Sequence, residues 1–190
     1  NKVTDNATPE KVEIICILDR SGSMASVLNE AYAALNAFIV EQQGLPGKAK
    51  LTFMVFDNHI DTVIYRQKLQ DVQPIDPKLH PARGMTALYD AIGQGITAAK
   101  KDRKTIMLIQ TDGLNNSSKE YNAGDIKRLI GEKEAEGWDF MFIGAGVDAI
   151  TMGGSIGLSH KAVNLPKNAR GMADYGAQIG AKTTLFRAGM

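Results

Sequence analysis

Val12-Glu13-Ile14-Ile15-Cys16-Ile17-Leu18 runs directly into Asp19-Arg20-Ser21-Gly22-Ser23, and this junction decides the fold. The first part is nearly continuous apolar sequence, broken only by Glu13. That is the pattern of a central strand covered on both faces. The second part is a polar loop leaving the strand's carboxyl end. The pairing recurs downstream. Residues 105–109 form another buried run, followed by Gln110-Thr111-Asp112-Gly113. Two carboxylates and two hydroxyls are thereby expected at the ends of neighbouring strands.

Working outward, the period changes from continuous apolar to helical over residues 23–43. There Val27, Leu28, Ala31, Leu35, Phe38 and Ile39 share one face, and Gly44, Pro46 and Gly47 stop the helix. Residues 50–56 and 60–65 are β-rich and separated only by Asp57-Asn58-His59, which predicts a hairpin and one antiparallel strand. A loop punctuated by Pro74, Pro77 and Pro81 follows. Helices are predicted over 86–101, 118–136 and 148–156, strands over 105–109 and 140–143, and a weak edge strand over 161–165. A closing helix is predicted over 168–185, with Met172, Tyr175 and Ile179 inward and Gly171, Gly176 and Gly180 weakening it. Strands alternating with helices predict an α/β fold. Its expected form is a three-layer Rossmann-like sandwich, with a mostly parallel central sheet, one antiparallel edge strand and helices on both faces. Such folds bind ligands beyond the carboxyl ends of the strands, where the strand order reverses. Both polar motifs lie there.

Composition narrows the options. The chain has 190 residues, which suits one core, and its 44% apolar and 23% charged content is ordinary for a globular protein. A net charge of +1 gives no reason to expect nucleic acid or an anionic membrane as partner. The apolar runs are strand-length, far short of the roughly 20 residues of a membrane helix. Residues 1–10 are polar and are read as a flexible segment ahead of a domain over 11–190. Cys16 is the single cysteine, so no intrachain disulfide forms, and its apolar setting marks it as a core residue. No signal-type segment and no disulfide lean the reading toward a cytoplasmic setting.

Asp19, Ser21 and Ser23 alternate with Arg20 and Gly22, a spacing that turns three oxygen-bearing side chains toward one point. Carboxylate and hydroxyl oxygens suit Mg²⁺, Mn²⁺ or Ca²⁺ and disfavour Zn²⁺. His59, His80 and His160 have no metal-ligand spacing. Blander readings stand beside this one. Ser21 or Ser23 caps the next helix, Asp19 bonds loop amides, and Asp112-Gly113 is a turn.

These residues resemble the von Willebrand factor type A (vWA) domain. That family carries a metal-ion-dependent adhesion site (MIDAS) of the pattern Asp-x-Ser-x-Ser, with a Thr from a second loop and an Asp from a third. Asp19, Ser21 and Ser23 match the first element, and Thr86, in Gly84-Met85-Thr86-Ala87-Leu88-Tyr89-Asp90, matches the second. Asp112, in Thr111-Asp112-Gly113, matches the third. The likeness extends over residues 10–190 and looks like a bacterial or phage-type single-domain member with an intact site. Met85 departs from the pattern, standing where many members have Gly. Thr86 by itself also reads as the N-cap of a helix from Ala87. Arg20 and Arg83 flank the site, either as solvated surface or as a basic rim for an acidic partner.

The resemblance implies one Mg²⁺ or Mn²⁺ (with Ca²⁺ as a further option) held by the two serines and the threonine, with the aspartates acting directly or through water. It also implies a last helix, 168–185, that shifts with ligation. The metal would take an Asp or Glu carboxylate from a partner protein, making the chain an interaction module and not an enzyme. Two alternatives remain: a Mg²⁺-dependent phosphohydrolase using Asp19 as nucleophile, and a purely structural subunit of a larger assembly. Haloacid-dehalogenase-type enzymes have a second Asp where this chain has Ser21, and no Walker-type phosphate loop is present.

Overall fold

The structure is a computed structural model that describes residues 10–190. The expected flexible segment, 1–10, lies outside the described residues except for Glu10. β1 (Val12–Asp19), β2 (Ala49–Phe56), β3 (Ile60–Lys68), β4 (Lys104–Thr111), β5 (Asp139–Ala145) and β6 (Ala162–Leu165) form one sheet. Its order is β3-β2-β1-β4-β5-β6. Only β3 is antiparallel; every other neighbouring pair is parallel.

Side-chain alternation along β1 assigns the two cores. Ile14, Cys16 and Leu18 face a layer built by α1 (Leu28–Gln43) and α5 (Ala169–Arg187), where Tyr32, Phe38, Tyr175 and Ile179 are fully buried. Ile15 and Ile17 face α2 (Leu88–Ala98), α3 (Ala123–Ala135) and the short α4 (Ala149–Gly154), with Phe140 and Phe142 from β5. This is the three-layer sandwich expected. Cys16 is fully buried, and burial drives its thiol pKa up out of any reactive range. Among the described residues no helix is long and apolar enough to cross a membrane.

Several element boundaries differ from the sequence pattern for identifiable reasons. The helix expected from residue 23 begins at Leu28, because residues Gly22–Ser26 form a 3-10 turn and Val27 leaves helical space at φ −134°. The helix expected from 118 begins at Ala123. Buried Asp90, on α2, accepts the N–H groups of Lys119, Glu120 and Tyr121 at 2.8–3.0 Å, holding that stretch as a loop. Asn122 and Asp125 then close a capping box. The glycines of α5 do more than weaken it. A Cβ at Gly176 would sit 3.0 Å from the Cβ of Ala34, and one at Gly171 would overlap the Pro166 carbonyl at 1.7 Å. They let α5 lie close against α1 and against its own entry loop.

The carboxyl ends of β1 and β4 adjoin where the chain's progression across the sheet reverses. β1 leads outward to β2 and β3, and the return through α2 places β4 on the other side of β1. That is the position where open α/β sheets build sites.

Candidate metal centre

Asp19 is the last residue of β1 and is fully buried. One carboxylate oxygen, Oδ1, accepts the Ser21 N–H at 2.7 Å. The other, Oδ2, accepts the Thr111 hydroxyl at 2.7 Å and the Asp112 N–H at 3.4 Å. Burial pushes the Asp19 carboxyl up to about 6; hydrogen bonds from Thr111 and Ser21 work against this, and the neighbouring Asp112 charge adds to it. No Lys or Arg lies within ion-pair distance of Asp19 among the described residues.

The serines do not cap a helix. Ser21 precedes the 3-10 turn without a side-chain capping bond. Its Oγ instead lies 3.2 Å from Ser23 Oγ, and Ser23 donates to Asp112 Oδ1 at 2.9 Å. Thr86 also caps nothing: Ala87 occupies the N-cap position of α2 and makes no side-chain cap bond. The Thr86 loop is stitched to both others. Gly22 N–H donates to Gly84 O at 3.0 Å, Thr86 N–H donates to Asn116 Oδ1 at 2.8 Å, and Asn116 N–H returns to Thr86 O at 2.9 Å. Asp19, Ser21, Ser23 and Asp112 thus form one bonded cluster, with Thr86 buried on the loop that joins its two sides.

The donor set fits a hard divalent cation on two observations. Asp112 Oδ2 is buried, has no hydrogen-bond donor in good geometry and already attracts a cationic group, the Lys167 ammonium at 2.8 Å. The Ser21–Ser23 and Ser23–Asp112 oxygen separations, 3.2 and 2.9 Å, match the roughly 2.9 Å between adjacent ligands of an octahedral ion held at 2.0–2.1 Å. Two carboxylates and several hydroxyls make the set. Among the described residues no group of three or more His, Cys, Asp or Glu is placed to hold a metal.

The two flanking arginines separate. Arg20, expected at the surface or rim, is buried, 3.7 Å from Asp57 and bonded to Asp61. Its charge is spent inside the protein, so it is not an exposed rim. Arg83 is 56% exposed in its side chain and donates to Asp57 at 2.6 Å. Burial alone would raise the Asp57 carboxyl; the His59 amide and the Arg83 and Arg20 guanidiniums outweigh it and hold the group below the ordinary range.

Three participants escape a reading by motif. Thr111 braces Asp19, and Asn116 braces Thr86. Lys167 places Nζ 2.8 Å from Asp112 Oδ2, outside hydrogen-bond geometry. Lys167 follows β6, and its one available signal is position: like Asp112 it stands just past the carboxyl end of a parallel strand, as Asp19 stands at one.

No protein-family model and no curated protein sequence matches this chain. Solved structures do. The von Willebrand factor type A protein from Catenulispora acidiphila superposes with a TM-score of 0.66 at 18% identity, over 93% of this chain and 43% of that one. The pilus adhesin SpaC from Lactobacillus rhamnosus GG gives 0.73 at 14%, over 91% and 30%. Proximal thread matrix protein 1 from the mussel byssus, solved with a zinc-occupied MIDAS motif, gives 0.59 at 17%, over 90% and 47%. This chain therefore spans less than half the length of each. The likeness establishes the fold as the one these proteins share.

Proposed function

We propose that this chain is a metal-dependent protein-interaction module. Asp19, Ser21, Ser23, Thr86 and Asp112 would hold one divalent ion, and a partner's Asp or Glu carboxylate would complete its shell. The observation that carries the reading is the buried, donor-less Asp112 Oδ2 beside the Ser21–Ser23–Asp112 oxygen cluster. A buried carboxylate oxygen without a donor is costly unless a cation satisfies it, and the Lys167 ammonium at 2.8 Å, on a partly exposed stem, stands there in the absence of an ion. When bound, the ion supplies a Lewis-acidic position for an anionic oxygen. The chain's own residues set the geometry: Thr111 and the Ser21 amide fix the Asp19 carboxylate, and Asn116 fixes the Thr86 backbone. Two aspartates only balance a divalent charge, so the ion retains attraction for a further carboxylate. The zinc-occupied neighbour supports a divalent ion without selecting Mg²⁺, Mn²⁺ or Ca²⁺ for this chain.

Recognition is favoured over catalysis because the groups around Asp19 are hydroxyls and backbone amides. Among the described residues no carboxylate besides Asp112 and no histidine is bonded to it as a proton carrier. Of the two flanking arginines Arg83, paired with Asp57 but 56% exposed, is the one whose side chain an acidic partner can reach.

Calorimetry with Mg²⁺, Mn²⁺, Ca²⁺ and Zn²⁺ tests the site. Wild type should bind at least one of these ions, and Asp19→Ala should lose the binding. A pull-down in the bound metal against chelator, with Asp112→Ala as control, tests the partner. Absence of binding by wild type, or unchanged binding by Asp19→Ala, sinks the reading. Mg²⁺-dependent hydrolysis of a generic phosphate ester, lost in Asp19→Asn, would replace it with the phosphohydrolase.

A further inference from the structure

We propose that Lys167 is a tethered cation that occupies the charge of Asp112 and has to be expelled before a divalent ion binds. The inference rests on the metal reading above. It turns on Asp112, whose side chain is wholly buried between two different partners. Oδ1 accepts from Ser23, within the candidate donor set. Among the described residues Oδ2 meets only the Lys167 ammonium, at 2.8 Å and outside hydrogen-bond geometry. The contact is therefore one of charge against charge. It covers the same oxygen whose lack of a donor marks the site for a cation.

The fold leaves room for the side chain at 167. Gly146, past the end of β5, has φ +68°, and a Cβ built there would lie 2.9 Å from the Cβ of Lys167. Any side chain at 146 would press on the lysine stem. Gly146 N–H also donates to Leu165 O at 2.7 Å, so the end of β6 is clamped beside it. From there Pro166 O packs on Gly171 and accepts the Asn168 N–H at 3.1 Å, and Asn168 caps α5. The lysine thus projects from a short, tightly held link between β6 and α5. Its own side chain is 29% exposed, so it has a path outward to water without unfolding that link.

A monovalent ammonium and a divalent ion cannot both lie against one buried carboxylate oxygen, because like charges a few ångströms apart repel strongly where water is excluded. An ammonium brings one charge and three donors on a flexible stem; a divalent ion brings two charges and orders several oxygens at once. Lys167 therefore keeps the metal-free site neutralised and lowers its affinity. Only an ion that engages the hydroxyls as well as Asp112 displaces it. Once displaced, the ammonium stands at the rim of the site, a further positive group facing an incoming carboxylate.

The test compares wild type, Lys167→Met and Lys167→Arg by calorimetry with Mg²⁺ and Mn²⁺ alone. Circular dichroism melts confirm that each variant folds, and Lys167→Gln replaces Met if that variant does not. Lys167→Met should bind metal about ten to a hundred times more tightly than wild type, and Lys167→Arg should stay near wild type. Hydrogen exchange over residues 162–171 should rise on adding metal to wild type and stay unchanged in Lys167→Met. Equal or weaker metal binding by Lys167→Met overturns the tethered cation while leaving the metal site standing. No binding by either wild type or Lys167→Met removes both.

Discussion

Two buried carboxylates sit at opposite ends of the same strand, and they are handled in opposite ways. Glu13, near the start of β1, is wholly buried and meets the Arg66 guanidinium with both oxygens, at 2.7 and 3.4 Å. Asp19, at the end of β1, is equally buried and has only hydroxyl and amide donors, with its pKa pushed up to about 6 by desolvation. Glu13 is closed: the chain supplies its counter-charge from β3, even at the expense of a positive φ of 45° at Arg66. Asp19 is open: the chain surrounds it with hydroxyl and amide donors and supplies no counter-charge among the described residues, which on the reading proposed above leaves room for a cation from outside. A carboxylate that merely stabilises a fold is given its own partner. On the reading proposed above, one kept for a ligand is held in place and left short of charge.

The largest effect should fall on the closed pair. Glu13→Ala leaves Arg66, 8% exposed in its side chain, without a counter-charge, and should cost about 3–5 kcal/mol in urea unfolding. Divalent-ion affinity of the folded fraction should not change. At the open end the ranking reverses. Asp19→Asn removes a charge that has no ionic partner, so unfolding free energy should move by less than about 1.5 kcal/mol, while metal affinity falls by about a hundredfold or more, near 2.7 kcal/mol. A large loss of stability in Asp19→Asn would erase the contrast.

Thr111→Val tests the bracing within the open site. It removes the hydroxyl that holds Asp19 Oδ2 at 2.7 Å and should cost about 1–2 kcal/mol of stability. Metal affinity should drop by less than in Asp19→Asn. The smallest effect belongs to a third carboxylate of the closed kind. Burial alone would raise Asp139, but hydrogen bonds from Lys182 and Lys161 outweigh it and hold its pKa below the ordinary value. A depressed folded-state pKa contributes stability that is fully present above about pH 4 and lost as pH falls through the lowered value. Because the cluster is partly solvated, its worth is about 1 kcal/mol. The urea midpoints of wild type and Asp139→Asn should differ at pH 7 and converge below pH 4.

Much of the scaffold was legible in the residues because its signals are local. The run 12–18 marks a doubly covered strand, and the three-residue link 57–59 forces an antiparallel neighbour. The polar run 19–23 and Asp112 lie where strand ends are expected. Boundaries failed where a distant side chain intervened: Asp90 captures three amides from 119–121 and so delays α3 by five residues. Arg20 was misplaced for the same reason. Its burial depends on Asp57 and Asp61, supplied by the turn before β3 and by β3 itself.

Sequence alone determined the layer pattern, the strand ends and the hydroxyl–carboxylate motif at them, since periodicity and spacing are properties of neighbouring residues. Only the tertiary structure decided which charges cancel. Arg66 reaches Glu13 across 53 positions, Arg20 is consumed by Asp57 in the β2–β3 turn and Asp61 in β3, and Lys167 arrives on Asp112 from beyond β6. Ion pairing depends on separation in space and on the exclusion of water, and neither is set until the sheet has ordered its strands.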